Sequence, residues 1–205
     1  MSYQNRVDPW GNIVAASERG TLMGNRGNLH NNNKEIIRNY QTKRWIICRL
    51  EFNGNQREIM APGLYTELFF LDEATALSAG HRPCAECQRD RYDEFKRLWL
   101  KANPILGTGK IQIEEIDKIL HQERYASGEK VTFRAKSKDL PDGVFFSLDG
   151  AAYLINSGRI YHWSFGGYSQ VNALNVPDEV DVLTPRSIVN AYEAGFLPGM
   201  HLNRF

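Results

Sequence analysis

Two cysteines two residues apart, Cys84 and Cys87, are the residues of this 205-residue chain best suited to metal chemistry. At that spacing two thiolates converge on one tetrahedral ion, and the turn between them points its amide hydrogens at the sulfurs. Pro83 stiffens the turn just before them, and Cys48, the remaining cysteine, is a third sulfur donor upstream. Three cysteines, odd in number and partly clustered, suit a reducing compartment and a metal better than a disulfide framework. A donor set made mostly of thiolates is structural, because a catalytic zinc keeps a position open.

Other residues carry weaker chemical signals. The glycine-rich run from Arg19 to His30 places Asn25 and Arg26 where backbone amides and a guanidinium can approach an anion, although it matches no phosphate-loop pattern. The ordinary explanation is a loop that needs glycine for its turns. Glu67 falls on the face of Tyr65, Phe69 and Leu71, where a carboxylate needs a partner such as Arg26 or Arg82. It is also the type of group that acts as an acid or base. His121, Glu123 and Arg124 share one turn, which fits an acid–base site or a charged helix end. Trp163 and Tyr168 flank Gly166-Gly167 and can stack unpaired bases, though such rings more often fill a β core.

The residues around the cysteine pair carry a resemblance. The run FF-x(5)-A-x(2)-AG-x-RPC-x(2)-C over residues 69–87 resembles the second half of the Ada-type zinc-binding fragment of bacterial alkylation-response proteins. The resemblance implies a structural zinc close to DNA. The fragment's first half supplies a second pair of ligands, and here only Cys48 stands upstream; methyl-acceptor activity belongs to the missing half and is not carried over. His30, upstream with Cys48, is the fourth donor expected in place of the missing cysteine, with His81, His121 and His201 as alternatives.

These groups must be positioned by short elements. Asp72 is placed to cap a helix that Gly80 ends in the left-handed conformation. Residues 44–52 alternate as a strand, with Cys48 on the apolar side. Asn53-Gly54-Asn55 reads as a hairpin turn returning over Gln56 to Met60, and residues 64–71 form a buried strand. Asp90 to Ala102 is an amphipathic helix with Tyr92, Phe95, Leu98 and Trp99 on one stripe. A further helix is expected from Ile113 to Tyr125. From Val131 the pattern changes to short strands joined at Pro141-Asp142-Gly143, Asp149-Gly150 and Ser157-Gly158. A last helix follows, with Thr184 as cap and Pro185 at its first position. The fold class is α+β. A zinc-stabilised β-hairpin and helix region over residues 1–126 precedes a small antiparallel β-rich region with a C-terminal helix over 127–205, the two packed as one unit.

Composition bounds the function. Hydrophobic residues at 42% and aromatics at 11% indicate a globular chain. No apolar run approaches the roughly 20 residues of a membrane helix, and the first residues lack a signal-peptide core, which points to the cytoplasm. The net charge of +1 excludes binding to nucleic acid by bulk charge. Residues 1–60, however, hold nine Lys and Arg against five Asp and Glu, and Arg19, Arg44 and Arg49 can line a phosphate-contacting face. The function expected is a zinc protein that processes DNA, most simply by base excision. Glu67 is the carboxylate, Arg26 lies on a phosphate, Asn25 on a base edge, and His121 is an accessory group. The alternatives are a non-catalytic nucleic-acid-binding zinc module and a zinc deaminase-like enzyme using His121 and Glu123 with Cys84 and Cys87.

Overall fold

Among the described residues, short strands build two six-stranded sheets, and four α-helices complete an α+β fold. The computed structural model describes residues 2–52, 54, 58–104, 111–172 and 176–202. The N-terminal sheet contains β1 (Gln4–Val7), β2 (Ile13–Ala15), β3 (Leu22–Asn25), β4 (Ile46–Cys48), β5 (Leu68–Phe70) and β6 (Arg82–Pro83). Their order is β2-β1-β5-β3-β4-β6, with β1/β5 and β4/β6 parallel and the other pairs antiparallel. Gly24 sits where the sheet leaves no room for a side chain, since a Cβ there would lie 2.3 Å from the Phe70 ring.

The strands expected over 44–52 and 64–71 contract to three residues each. β4 ends at Cys48 because the next amide, that of Arg49, turns toward the Cys87 sulfur instead of a strand partner. Of the expected hairpin, Asn53 and residues 55–57 lie outside the described residues. Between β5 and β6 runs α1 (Glu73–Ser78), capped as its sequence implies by Asp72 Oδ1, which accepts from Thr75 N at 2.8 Å. Gly80 follows at φ +86°, and its amide and that of His81 close onto Leu77 O and Ala76 O, so the helix ends in a Schellman motif.

α2 (Arg89–Ala102) buries Tyr92, Phe95, Leu98 and Trp99, the stripe its periodicity marks. On α3 (Ile113–Arg124) the buried face carries Ile116 and Leu120 but also Asp117, His121 and Arg124. A small hairpin of β7 (Tyr125–Ala126) and β8 (Glu129–Lys130) follows. The C-terminal sheet is antiparallel throughout: β9 (Phe133–Lys136), β10 (Phe145–Leu148), β11 (Ala151–Asn156), β12 (Arg159–Ser164), β13 (Gly167–Val171) and β14 (Glu179–Val182), ordered β13-β12-β11-β10-β14-β9. Asp149-Gly150 and Ser157-Gly158 turn the β10–β11 and β11–β12 hairpins with positive φ at both positions.

The C-terminal helix α4 (Arg186–Glu193) is not capped by Thr184. Pro185 occupies the cap position, and the Thr184 hydroxyl instead accepts from Phe145 N at 2.9 Å. The cap is supplied from α3: Glu123 Oε2 accepts from Ser187 N at 3.1 Å. One core cluster joins the sheets and helices through Val7, Phe70, Trp99, Phe146, Val182 and Phe196. Among the described residues no helix is long and apolar enough to cross a membrane.

Candidate metal centre

Strand register brings the three cysteines together. β4 and β6 are parallel neighbours with Ile46 opposite Arg82 and Ile47 opposite Pro83, so Cys48 and Cys84 emerge side by side where the strands end. Cys84 N donates to Ile47 O at 2.9 Å, and Gln88 N returns to Cys84 O at 3.2 Å, which folds Cys87 back toward them. The three sulfurs lie within 4.8 Å of one another and each cysteine is buried, an arrangement that could hold a metal ion. The knuckle amide of Glu86 donates to Cys84 Sγ at 3.4 Å. A hydrogen bond from the Cys48 thiol, helped by the Cys87 and Glu86 amides, lowers the Cys84 thiol against the cost of burial. Donating that bond, together with burial, pushes Cys48 up.

The knuckle is braced from α3. Arg82 donates from Nε and Nη2 to the two oxygens of Asp117 at 2.9 and 2.8 Å, a buried bidentate pair. Sequence reading did not single out Asp117. Its signal is its position one residue after Ile116 and three before Leu120, on the inward face of α3.

His30 is not the fourth donor. Its Nδ1 lies 2.6 Å from Thr66 Oγ1 and its Nε2 3.2 Å from Ala61 O, so the ring ties the glycine-rich loop to the segment before β5. His81 accepts from Arg26 Nε at 3.1 Å, His121 Nδ1 lies 3.3 Å from Arg124 Nη2, and the His201 amide is engaged by Asp72. Among the described residues no further His, Cys, Asp or Glu lies within 4.8 Å of all three sulfurs.

The expected catalytic residues separate. Asn25 Oδ1 accepts from Gly27 N at 2.8 Å and shapes its own turn. Buried Glu67 accepts from Met60 N at 2.9 Å through Oε2. The next side chain after Asn25, Arg26, turns into a cavity that neither Asn25 nor Glu67 lines. His121 joins Arg124 and the edge of Tyr40, while Glu123 caps α4, so the two do not form the pair a deaminase-like site needs. Burial and the neighbouring charges of Arg124 and Lys43 lower the His121 imidazole to about 4, which keeps it neutral at ordinary pH.

Trp163 and Tyr168 do not present a stacking surface. Trp163 Nε1 donates to Thr75 Oγ1 at 3.1 Å and Tyr168 OH to Asp72 Oδ2 at 2.7 Å, both buried against the start of α1. The capping carboxylate holds the Tyr168 hydroxyl and the Thr75 hydroxyl holds the Trp163 indole, so both polar tips point inward. Arg19, Arg44 and Arg49 are exposed, as a phosphate-contacting role requires.

The cavity that receives Arg26 is lined by Arg124, read from the sequence only as part of the His121–Arg124 turn, and by residues that sequence reading missed: Trp45, Tyr125 and Lys130. Lys130 Nζ donates to Ser78 O at 2.6 Å. Burial, with the charges of Arg124 and Arg26 acting in the same direction and Asp8 against, lowers it to about 7 from the ordinary 10.5. A lysine depressed in the folded state favours folding fully above its unfolded value, and the benefit is lost as pH falls through the folded value. Wild-type protein should therefore gain stability relative to Lys130→Met between pH 7 and pH 10, as read from urea midpoints. A difference that stays flat across that window would show that Lys130 titrates as in solvent.

Compared with protein-family models, with curated proteins and with solved structures, the chain finds no match.

Proposed function

We propose that this chain is a zinc protein that binds DNA, with Cys48, Cys84 and Cys87 holding a structural zinc. The observation that carries the reading is the buried three-sulfur group at the end of β4 and β6, with a knuckle amide directed at Cys84. Thiolates select soft or borderline ions, and zinc is the usual one in a C-x-x-C knuckle. X-ray absorption should find three sulfurs at about 2.3 Å and one lighter donor. Three free buried thiols suit a reducing compartment such as the cytoplasm.

DNA is the proposed partner because exposed Arg49 and Arg89 flank Cys87, with Arg19 and Arg44 exposed elsewhere in the N-terminal half. Glu86, Asp90 and Glu94 share that hollow, so contact with phosphates is local and its strength modest. Binding to duplex DNA should weaken with salt, and Arg49→Ala should lower the slope by about 0.9, the value of one phosphate contact. No binding at low salt, or a slope unmoved by this substitution, would remove DNA as the partner.

Base excision is the catalytic form of the same reading. Its support is Glu67, a carboxylate only 4% exposed beside the apolar strand β5. Abasic sites released from damaged or hypermodified DNA by the wild type and lost in Glu67→Gln would establish it. Binding without abasic sites leaves the non-catalytic module.

A further inference from the structure

Trp45 is flanked by two guanidinium groups, with the Arg26 and Arg124 carbons 3.8 and 3.9 Å from its ring centroid. Each arginine is 1% exposed, and among the described residues neither has a carboxylate within 4.0 Å. Arg26 donates Nη1 to Gly11 O at 2.9 Å and Nε to His81, while its buried Nη2 has no partner. Arg124 donates Nη1 to Gly80 O and Nη2 to Lys43 O, both at 2.6 Å, and its Nε has none. Lys130 adds a third cation to the same wall. The acidic groups on this side are Asp8, whose carboxylate is held by Asn12, Asp117, whose oxygens are taken by Arg82 although its field reaches Arg124, and Glu129, which is exposed at the rim.

We propose that this cavity, enclosed by the β1–β2 turn, Trp45 and the β7–β8 hairpin, binds a phosphomonoester, carried by a free nucleotide or by the end of a nucleic-acid strand. A buried cation without a counter-ion is costly, and an incoming anion removes that cost. Burial lowers Arg26 to about 9, with Asp8 and Tyr125 opposing, which is a measure of the charge that lacks compensation. A phosphomonoester is close to a dianion at neutral pH and offers three acceptor oxygens. A carboxylate offers one charge to three cations. Guanidinium forks match phosphate oxygens in pairs, and a lysine acts as a point charge beside them. The cavity of about 360 Å³ falls in the range of small-ligand sites. Gly11 borders the unpartnered nitrogen, since a Cβ on it would stand 3.6 Å from Arg26 Nη2 and narrow the approach.

The site is independent of the exposed arginines assigned to DNA above, and its test separates the two. Calorimetry with the full chain would use inorganic phosphate, adenosine 5′-monophosphate, adenosine, and one oligonucleotide with and without a 5′ phosphate. The phosphorylated probes should bind and adenosine should not. Lys130→Met and Arg26→Gln should each weaken binding by about tenfold or more, the worth of one charge-assisted hydrogen bond. Tighter binding of the phosphorylated oligonucleotide than of the mononucleotide identifies a strand end, and the reverse order identifies a free nucleotide. Arg49→Ala should leave mononucleotide binding unchanged while weakening both oligonucleotides alike. Failure of every phosphorylated probe to bind, or wild-type affinity in Lys130→Met, overturns the proposal. Lys130 is half-buried, so that variant decides the matter even if Arg26→Gln fails to fold.

Discussion

Purified protein should contain one zinc per chain, and removing it should lower the unfolding midpoint by about 10–20 °C. Apparent zinc-binding energies in small structural sites reach about 10–16 kcal/mol, of the same order as the roughly 5–15 kcal/mol that stabilises a whole domain. Here the effect is local, because among the described residues the apolar side chains packed against the three cysteines are few: Met23, Ile46 and Phe52. Without an ion, β4, β6 and the start of α2 are joined mainly by backbone bonds and Gln88 Nε2 to Ile47 O. The large core that includes Trp99 and Phe146 lies apart from the sulfurs and limits the damage. A loss of about 5 kcal/mol then corresponds to the stated shift for a chain of this size. Cys84→Ser should lose the metal, whereas His30→Ala should retain it in full, since His30 serves Thr66 and Ala61. An unchanged midpoint in strong chelator, or metal lost in His30→Ala, would contradict the three-sulfur assignment.

Asp117→Ala should cost about 3–5 kcal/mol, the usual consequence of leaving one partner of a buried ion pair without its counter-charge. Arg82 and Asp117 are only 3% and 6% exposed at their side chains, and Arg82 immediately precedes the Pro83-Cys84 knuckle. Loss of the carboxylate strands the Arg82 guanidinium and removes an anion whose field also supports Arg124. The urea midpoint should fall accordingly, and metal affinity should fall with it because the knuckle loses its brace. The double variant Arg82→Met/Asp117→Leu should recover much of the stability, since a buried pair replaced by apolar residues of similar volume is often neutral. A double variant no more stable than Asp117→Ala would mean that the pair is not the source of the loss.

The cap at Asp72, the left-handed Gly80 and the two glycine hairpins of the C-terminal sheet were legible from the residues because each is closed by bonds only a few positions apart. The stripe on α2 was legible because one face of one helix carries it. The strands β13 and β14 were not singled out from sequence, since β14 alternates over four residues only and β13 carries the polar Ser169 and Gln170 in its middle. Thr184 misled because a hydroxyl before a helix can serve any nearby amide, and Phe145 N, 39 residues away, was the one that reached it.

Within the candidate metal site the chain alone specified the C-x-x-C turn, since four consecutive residues suffice to aim two sulfurs at one point. Folding supplied Cys48 beside them through a parallel strand register, and it turned His30 elsewhere. It also joined polar side chains into a buried system: Asp117 on Arg82, Tyr168 on Asp72 across 96 positions, and Arg26 with Arg124 on Trp45. The reason is that local geometry is encoded by neighbouring residues, whereas the burial of a polar side chain depends on partners contributed by distant parts of the chain.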